Sequence, residues 1–209
     1  MTARPRIAVV DYGAGNLVSI DQALRTVGAD VEFARDGEGL RGVDAVIVPG
    51  VGAAAPAMSR LTRHDLTGPI RAWLADDRPY LGICLGLQLL FEGSDEDGAK
   101  TLGVVTGRTM RLEAAPTLPH IGWNQVVRTR PHPLFDGIAP DADFYFVHSY
   151  AGAPGATEHD LVLAITEHGR PFTSAVARGT LLGVQFHPER SGDDGLRLLA
   201  NFVDLVRAA

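Results

Sequence analysis

A chain of 209 residues with 45% hydrophobic and 21% charged side chains is long enough to bury a substantial core without staples, and one compact domain is expected over residues 5–207. Its net charge of −6 is spread along the sequence and leaves no basic stripe for a phosphate backbone, so nucleic acid is not an expected partner. The single cysteine cannot close an intrachain disulfide, no Cys/His cluster suggests a metal site, and no apolar run approaches the ~18 residues of a membrane span. Neither a signal peptide nor a membrane anchor is expected, and the cytoplasm fits best.

IAVVD (7–11) is a short apolar run that ends at glycine, and NLVSIDQALRTVG then sets Leu17, Ile20, Leu24 and Val27 at helical spacing before Gly28 stops the pattern. VEFAR and DAVIVPG read as two further strands, the second apolar throughout as a parallel strand covered on both faces would be. TGPIRAWLADD predicts a helix capped near Thr67 or Gly68 with Pro69 in its first turn, and PYLGIC returns as a strand leading into a helical LGLQLLF. SDEDGAK (94–100) reads as an exposed polar loop. From TLGVVTGRTMRL through HIGWNQVVRT, DFYFVHSYAG, LVLAITEHG and PFTSAVARGTLLGVQF, strand-like stretches follow one another with little helix between them. GLRLLANFVDLVRAA closes the chain as an amphipathic helix. The expected fold is α/β: a three-layer, open, mostly parallel sheet with flanking helices and an added region of antiparallel strands.

Open α/β sheets carry their reactive groups at the carboxyl ends of strands, which is where Cys84 falls. Gly82-x-Cys84-x-Gly86 has the form of a nucleophile elbow, in which a sharp turn lifts the nucleophile and only small neighbours avoid collision. The start of the following helix would favour a thiolate. A buried structural thiol between two packing glycines fits the same segment. A thiol needs a base, and GVQFHPERSG offers His187 with Glu189 two positions on; in an extended backbone the two project to one face, with Pro188 restricting the chain between them. His187 would take the proton from Cys84 while Glu189 fixes the imidazole tautomer. A surface turn is the competing reading of His-Pro-Glu, and the elbow cysteine is what outweighs it. Donors for an oxyanion would be the Leu85 amide and an amide of the loop VIVPGVGAA (46–54), where Gly50 and Gly52 permit an inward-facing peptide at Val51 or Gly52.

Together PGVG, GICLGLQ and GVQFHPE, in this order across nearly the whole chain, resemble the triad-type (class I) glutamine amidotransferases. The resemblance implies that Cys84 attacks the carboxamide of glutamine to give a glutamyl thioester and ammonia, without cofactor or metal. It also implies that Gln88, Gly50, Gly52, His148, Ser149 and Tyr150 hold the substrate. DYGAGNLVS, PHIGWNQV and FYFVHSY are similar to the branch of that family serving imidazole glycerol phosphate synthesis, which implies a (β/α)8-barrel cyclase partner that receives the ammonia. Asn16, Trp123, Asn124, Tyr145 and Arg190 would then face the partner near the ammonia exit. Asn16 is equally a good helix cap, Trp123 a candidate core aromatic, and Tyr145 one step of a strand's alternation. Arg190 stands where the family commonly has lysine, which keeps the charge but not the compact ammonium. No P-loop is present, and GAG at 13–15 lacks the third glycine of a dinucleotide fingerprint. The other histidines, 64, 120, 132, 159 and 168, show no metal-ligand spacing.

Overall fold

A computed structural model describes residues 3–158 and 160–209, so His159 lies outside the described residues. The chain begins with β1 (Arg6–Val10), α1 (Leu17–Thr26), β2 (Asp30–Ala34), β3 (Ala45–Val48), α2 (Ala54–Arg63), α3 (Thr67–Ala75), β4 (Tyr80–Ile83) and α4 (Leu85–Gln88). Seven strands follow: β5 (Gly93–Ser94), β6 (Gly107–Arg111), β7 (His120–Gln125), β8 (Val127–Arg128), β9 (Asp143–His148), β10 (Tyr150–Pro154) and β11 (Val162–His168). The hairpin partners β12 (Arg170–Arg178) and β13 (Leu181–Val184) then lead to the terminal helix α5 (Gly192–Ala208).

The main sheet has eight strands in the order β2-β1-β3-β4-β13-β12-β11-β8. Its first five are mutually parallel, and from β13 to β8 the pairing is antiparallel. The antiparallel half is therefore grafted onto the parallel core as expected, except that β13, the end of the run read as antiparallel, crosses into the parallel half beside β4. Strand alternation divides the core into two layers. Ile7, Val9, Ile47, Leu81 and Ile83 point to one face with the buried side of α1 and α5. Ala8, Val10, Val46, Val48 and Tyr80 point to the other, where Leu61 of α2 and Ile70 and Trp73 of α3 cover them. Each valine, leucine or isoleucine side chain so removed from water contributes about 1.5–3 kcal/mol, which is why four-residue strands such as β3 and β4 hold their place. Two smaller sheets, β10-β6-β5 and β7-β9, stand beside the main one.

Three local expectations differ from the structure. The helix α2 was not foreseen: it starts at Ala54 straight after the glycine loop, without a capping side chain. The helical run predicted over LGLQLLF stops after one turn, at Gln88. TLGVVTGRTMRL is strand only over its last part, β6.

Candidate active site

The parallel pairing of β4 with β13 brings together residues about a hundred positions apart. Its register sets Leu81 opposite Leu182 and Ile83 opposite Val184, and the Cys84 amide continues the ladder by donating to Val184 O at 2.8 Å. The chain leaves both strands at their carboxyl ends, one into Cys84 and the other into Gln185, Phe186 and His187. Cys84 sits at φ 53°, ψ −107°, a left-handed backbone that costs a non-glycine residue roughly 1–3 kcal/mol and persists only where the surroundings enforce it. The enforcement is steric. A Cβ on Gly82 would lie 2.6 Å from the backbone of Gly86, and one on Gly86 would run into the carbonyl of Val48.

His187 is 5% exposed, as is Cys84. The chain between His187 and Glu189 is not extended, as the sequence had suggested, but folds into a single 3-10 turn over Pro188–Arg190. That turn swings the carboxylate back under the ring, so His187 Nδ1 donates to Glu189 Oε1 at 2.8 Å, with the glutamate side chain 1% exposed. The backbone of His187 is pinned as well. His187 N donates to Tyr145 O at 2.9 Å, Ser191 Oγ donates to His187 O at 2.6 Å, and Tyr145 N donates to Ser191 Oγ at 3.0 Å. Nε2 faces the thiol side, buried and without a hydrogen bond of good geometry, so imidazole and sulfur are close but not yet aligned. Burial by itself would lower the imidazole pKa; the nearby Cys84 and the hydrogen-bonded Glu189 outweigh it and push the pKa up to about 10.

Beside the sulfur is a cavity of 140 Å³ lined by Gly52, Cys84, Gln88, Glu96, Pro119, Val147, His148, Ser149 and Tyr150. Larger clefts exist, including one of 610 Å³ beneath Trp73, but they lie away from the thiol. Gln88 Nε2 donates to Tyr150 O at 2.8 Å and to Gln185 Oε1 at 3.1 Å. His148 donates from Nδ1 to the same Tyr150 carbonyl at 2.8 Å. Burial, foremost, lowers its pKa to about 3, opposed by that backbone bond and assisted by His120, His168 and His187. His120 is lowered to about 4, by burial and then by His168. His148 thus lines the pocket as a neutral imidazole, backed by His120, whose Nδ1 lies 3.2 Å from His148 Nε2. The sequence had not singled out Glu96, which lines the cavity from the polar loop; partial burial, then Asp97, raises its carboxyl pKa.

The glycine loop departs from expectation at two points. Gly50 does not line the cavity: it is buried, and a side chain there would meet the Tyr12 hydroxyl and come within 3.0 Å of Leu85 Cβ. Its carbonyl accepts the Leu85 amide at 3.4 Å, so the expected oxyanion donor is turned toward the loop. The Val51 side chain is 48% exposed. Gly52 has φ +86° with open space where a Cβ would stand.

Near the same end of the sheet Trp123 is 56% and Ile121 60% exposed on β7, and the Trp123 ring meets Tyr145 edge-on at 6.1 Å. The Arg190 guanidinium lies 4.2 Å from the Tyr145 ring centroid. Asn124 is half-buried, donating to Glu167 O at 2.9 Å and lying 3.1 Å from His120 Nε2. Asn16 caps α1, accepting from Ser19 N at 3.4 Å, and is exposed. Trp123 is thus no core aromatic, whereas Asn16 does serve as a cap. Among the described residues no group of three His, Cys, Asp or Glu could hold a metal ion, and no helix is long and apolar enough to cross a membrane.

The family model described as glutamine amidotransferase class-I matches residues 8–205. The imidazole glycerol phosphate synthase subunit HisH of Moorella thermoacetica is 48% identical over 204 residues, covering 97% of this chain and 96% of that protein. The subunit of the same name from Synechococcus elongatus is 46% identical over 213 residues, covering 100% and 97%. Among solved structures, PurLQS from Thermotoga maritima superposes with a TM-score of 0.77 at 17% identity, covering 97% of this chain and 99% of that one. A structure described as a glutamine amidotransferase gives 0.75 at 22%, covering 96% and 98%. At these identities the two structures speak for the fold alone.

Proposed function

The chain belongs to the class I glutamine amidotransferases, and from that membership we propose that Cys84, His187 and Glu189 carry its reaction. Its activity is the glutamine-dependent supply of ammonia for imidazole glycerol phosphate synthesis in histidine biosynthesis. In our reading the Cys84 thiol passes its proton to His187 and its sulfur attacks the side-chain carboxamide carbon of glutamine, the electron pair of the C=O bond moving to oxygen. The oxyanion then re-forms the carbonyl as the C–N bond breaks, and the imidazolium of His187 gives its proton to the departing nitrogen. Ammonia and a glutamyl thioester result. Water, deprotonated by His187, attacks the thioester and releases glutamate, returning the sulfur to its starting state. Glu189, acceptor-only when ionised, keeps the Nδ1 proton in place through both steps.

The observation that carries this reading is that two parallel strands in register bring a carboxylate-bound histidine close to a strained cysteine that opens on a small cavity. Its 140 Å³ suits the side of one amino acid rather than a nucleotide. Gln88, Ser149 and Tyr150 supply polar groups for the substrate, and Glu96 is placed to face its α-ammonium.

The oxyanion site, by contrast, is not set for catalysis while the Gly50 carbonyl holds the Leu85 amide. We infer that the loop over Gly50–Gly52 must rotate, freeing the Leu85 amide and turning a peptide N–H at Val51 or Gly52 inward; the left-handed, unobstructed Gly52 tolerates such a change. The function requires a cyclase subunit in complex, for which we propose a (β/α)8 barrel docked on Trp123, Asn124, Tyr145, Arg190 and Asn16. Exposed apolar surface at Ile121 and Trp123 supports that face, since aromatic and Arg side chains are common interface anchors. A cytoplasmic location is proposed from the biosynthetic role. The test is glutamine turnover by the chain alone, with the cyclase, and with cyclase plus acceptor. Slow turnover alone and a steep rise with both is expected; equal turnover in all three would refute the loop gate.

A further inference from the structure

We propose that Gln185 is a further catalytic residue: its side-chain amide donates an N–H to the Cys84 sulfur and stabilises the thiolate that attacks. Gln185 is 0% exposed, a lone carboxamide at the end of an otherwise apolar strand, and its Nε2 lies 3.6 Å from Cys84 Sγ. The orientation of that amide follows from its neighbours. The Tyr150 carbonyl can only accept, so the Gln88 atom 2.8 Å from it is the nitrogen. That same nitrogen lies 3.1 Å from the other end of the Gln185 amide, which must therefore be its oxygen. Turning Gln185 over would set two donors against each other and leave the sulfur facing an oxygen. The hydrogen bonds thus run in one direction, from Gln88 through Gln185 to the nucleophile.

Such a donor favours the charged form of the group it meets, and more strongly in a site without water. It answers a need that His187 leaves open, because Nε2 of the imidazole is not aligned on the sulfur in this state, whereas the Gln185 bond is already made. It also ties the nucleophile to the residue proposed to hold the substrate. When Gln88 engages glutamine, its pull on Gln185 is transmitted to the sulfur within two bonds.

The inference rests on Cys84 being the nucleophile of the proposed reaction, and the two can fail separately. The test is alkylation of Cys84 by iodoacetamide, which needs no glutamine recognition, followed against pH in the full chain and in the Gln185→Met and Gln88→Leu variants. Gln185→Met is expected to raise the pH of half-maximal alkylation by about one unit, roughly tenfold less reactive sulfur at a given pH, and to lower kcat. Gln88→Leu should raise KM for glutamine and move the alkylation profile the same way by a smaller amount, since the donor to the sulfur stays but loses the bond that orients it. If Gln185 merely braces Gln88, both variants will raise KM and neither will move the profile, which overturns the proposal. Should Gln185→Met not fold, the side-chain amide NMR resonance of Gln185 in the unaltered chain is expected to shift as the thiol titrates; indifference of that resonance would be equally fatal. A moved profile in a chain that does not turn over glutamine would remove the reaction and keep the donor, whereas normal turnover with an unmoved profile removes the donor alone.

Discussion

The two sides of the candidate site are built on opposite principles. On the nucleophile side, Gly82 and Gly86 are so closely packed that no side chain fits, the Cys84 amide is locked to β13, and the histidine backbone is tied to Tyr145 and Ser191. On the oxyanion side, Val51 is half exposed, Gly52 has open space where a side chain would stand, and the Leu85 amide is held only by a long 3.4 Å bond to Gly50 O. The difference teaches where this enzyme places rigidity and where slack. In the proposed reaction the strained half that would transfer the proton is fixed by the fold, and the half that would stabilise the transition state is left to be set by another event.

The largest effect tests whether the rigid side holds the nucleophile at all. Cys84→Ala should lower glutamine turnover by something on the order of 10⁶, as loss of a nucleophile does in triad enzymes, measured as glutamate release in the presence of the cyclase. Gly86→Ala should be the most destabilising glycine substitution, costing about 3 kcal/mol or more because the new Cβ meets the Val48 carbonyl and the packed elbow cannot yield. Thermal denaturation reads it directly. Its counterpart Gly52→Ala meets no atom, so its stability cost is confined to the positive φ, about 1 kcal/mol, while partner-stimulated turnover falls. Equal costs at the two glycines would break the contrast between the two sides.

The pH dependence sharpens it. His187 has a pKa raised above the ordinary 6.5 to about 10; such a group adds stability that is fully present below 6.5 and is lost as the pH rises from there through about 10. Turnover should show an alkaline limb in the same region, where the imidazolium needed to protonate the leaving nitrogen disappears. Glu189→Gln removes one of the charges holding the proton, so that limb should move to lower pH; an unmoved limb would dissociate Glu189 from the base. The smallest effect concerns the outer face. Trp123→Ala should weaken cyclase binding by about 2 kcal/mol, roughly thirtyfold in Kd, if the exposed ring is an anchor, as titration calorimetry would register.

The rigid side was the legible one in its geometry: its glycines are punctuation that steric rules interpret, and Cys84, His187 and Glu189 stand in short segments whose residue types suggest the chemistry proposed for them. The order of strands and helices could be read for the same reason, since β3 and β4 are uninterrupted apolar runs. What the sequence hid depends on partners distant along the chain. Gln185 is a single polar residue in GVQF, and only the β4–β13 register puts it against a sulfur 101 positions earlier. Glu96 lies in a loop whose composition spells solvent, yet the loop folds over the pocket. The helix α2 carries no capping side chain and follows a glycine-rich loop, so its start left no local mark. The 3-10 turn at Pro188 replaced an extended segment because proline fits the first position of such a turn as readily as a strand.

The most direct measurement is to treat the chain, together with its cyclase, with an electrophilic glutamine analogue and map the adduct by mass spectrometry. A single modification on Cys84, absent from Cys84→Ala and prevented by excess glutamine, is the predicted result. An adduct on any other residue, or one that persists undiminished in Cys84→Ala, would contradict the assignment of this sulfur as the nucleophile.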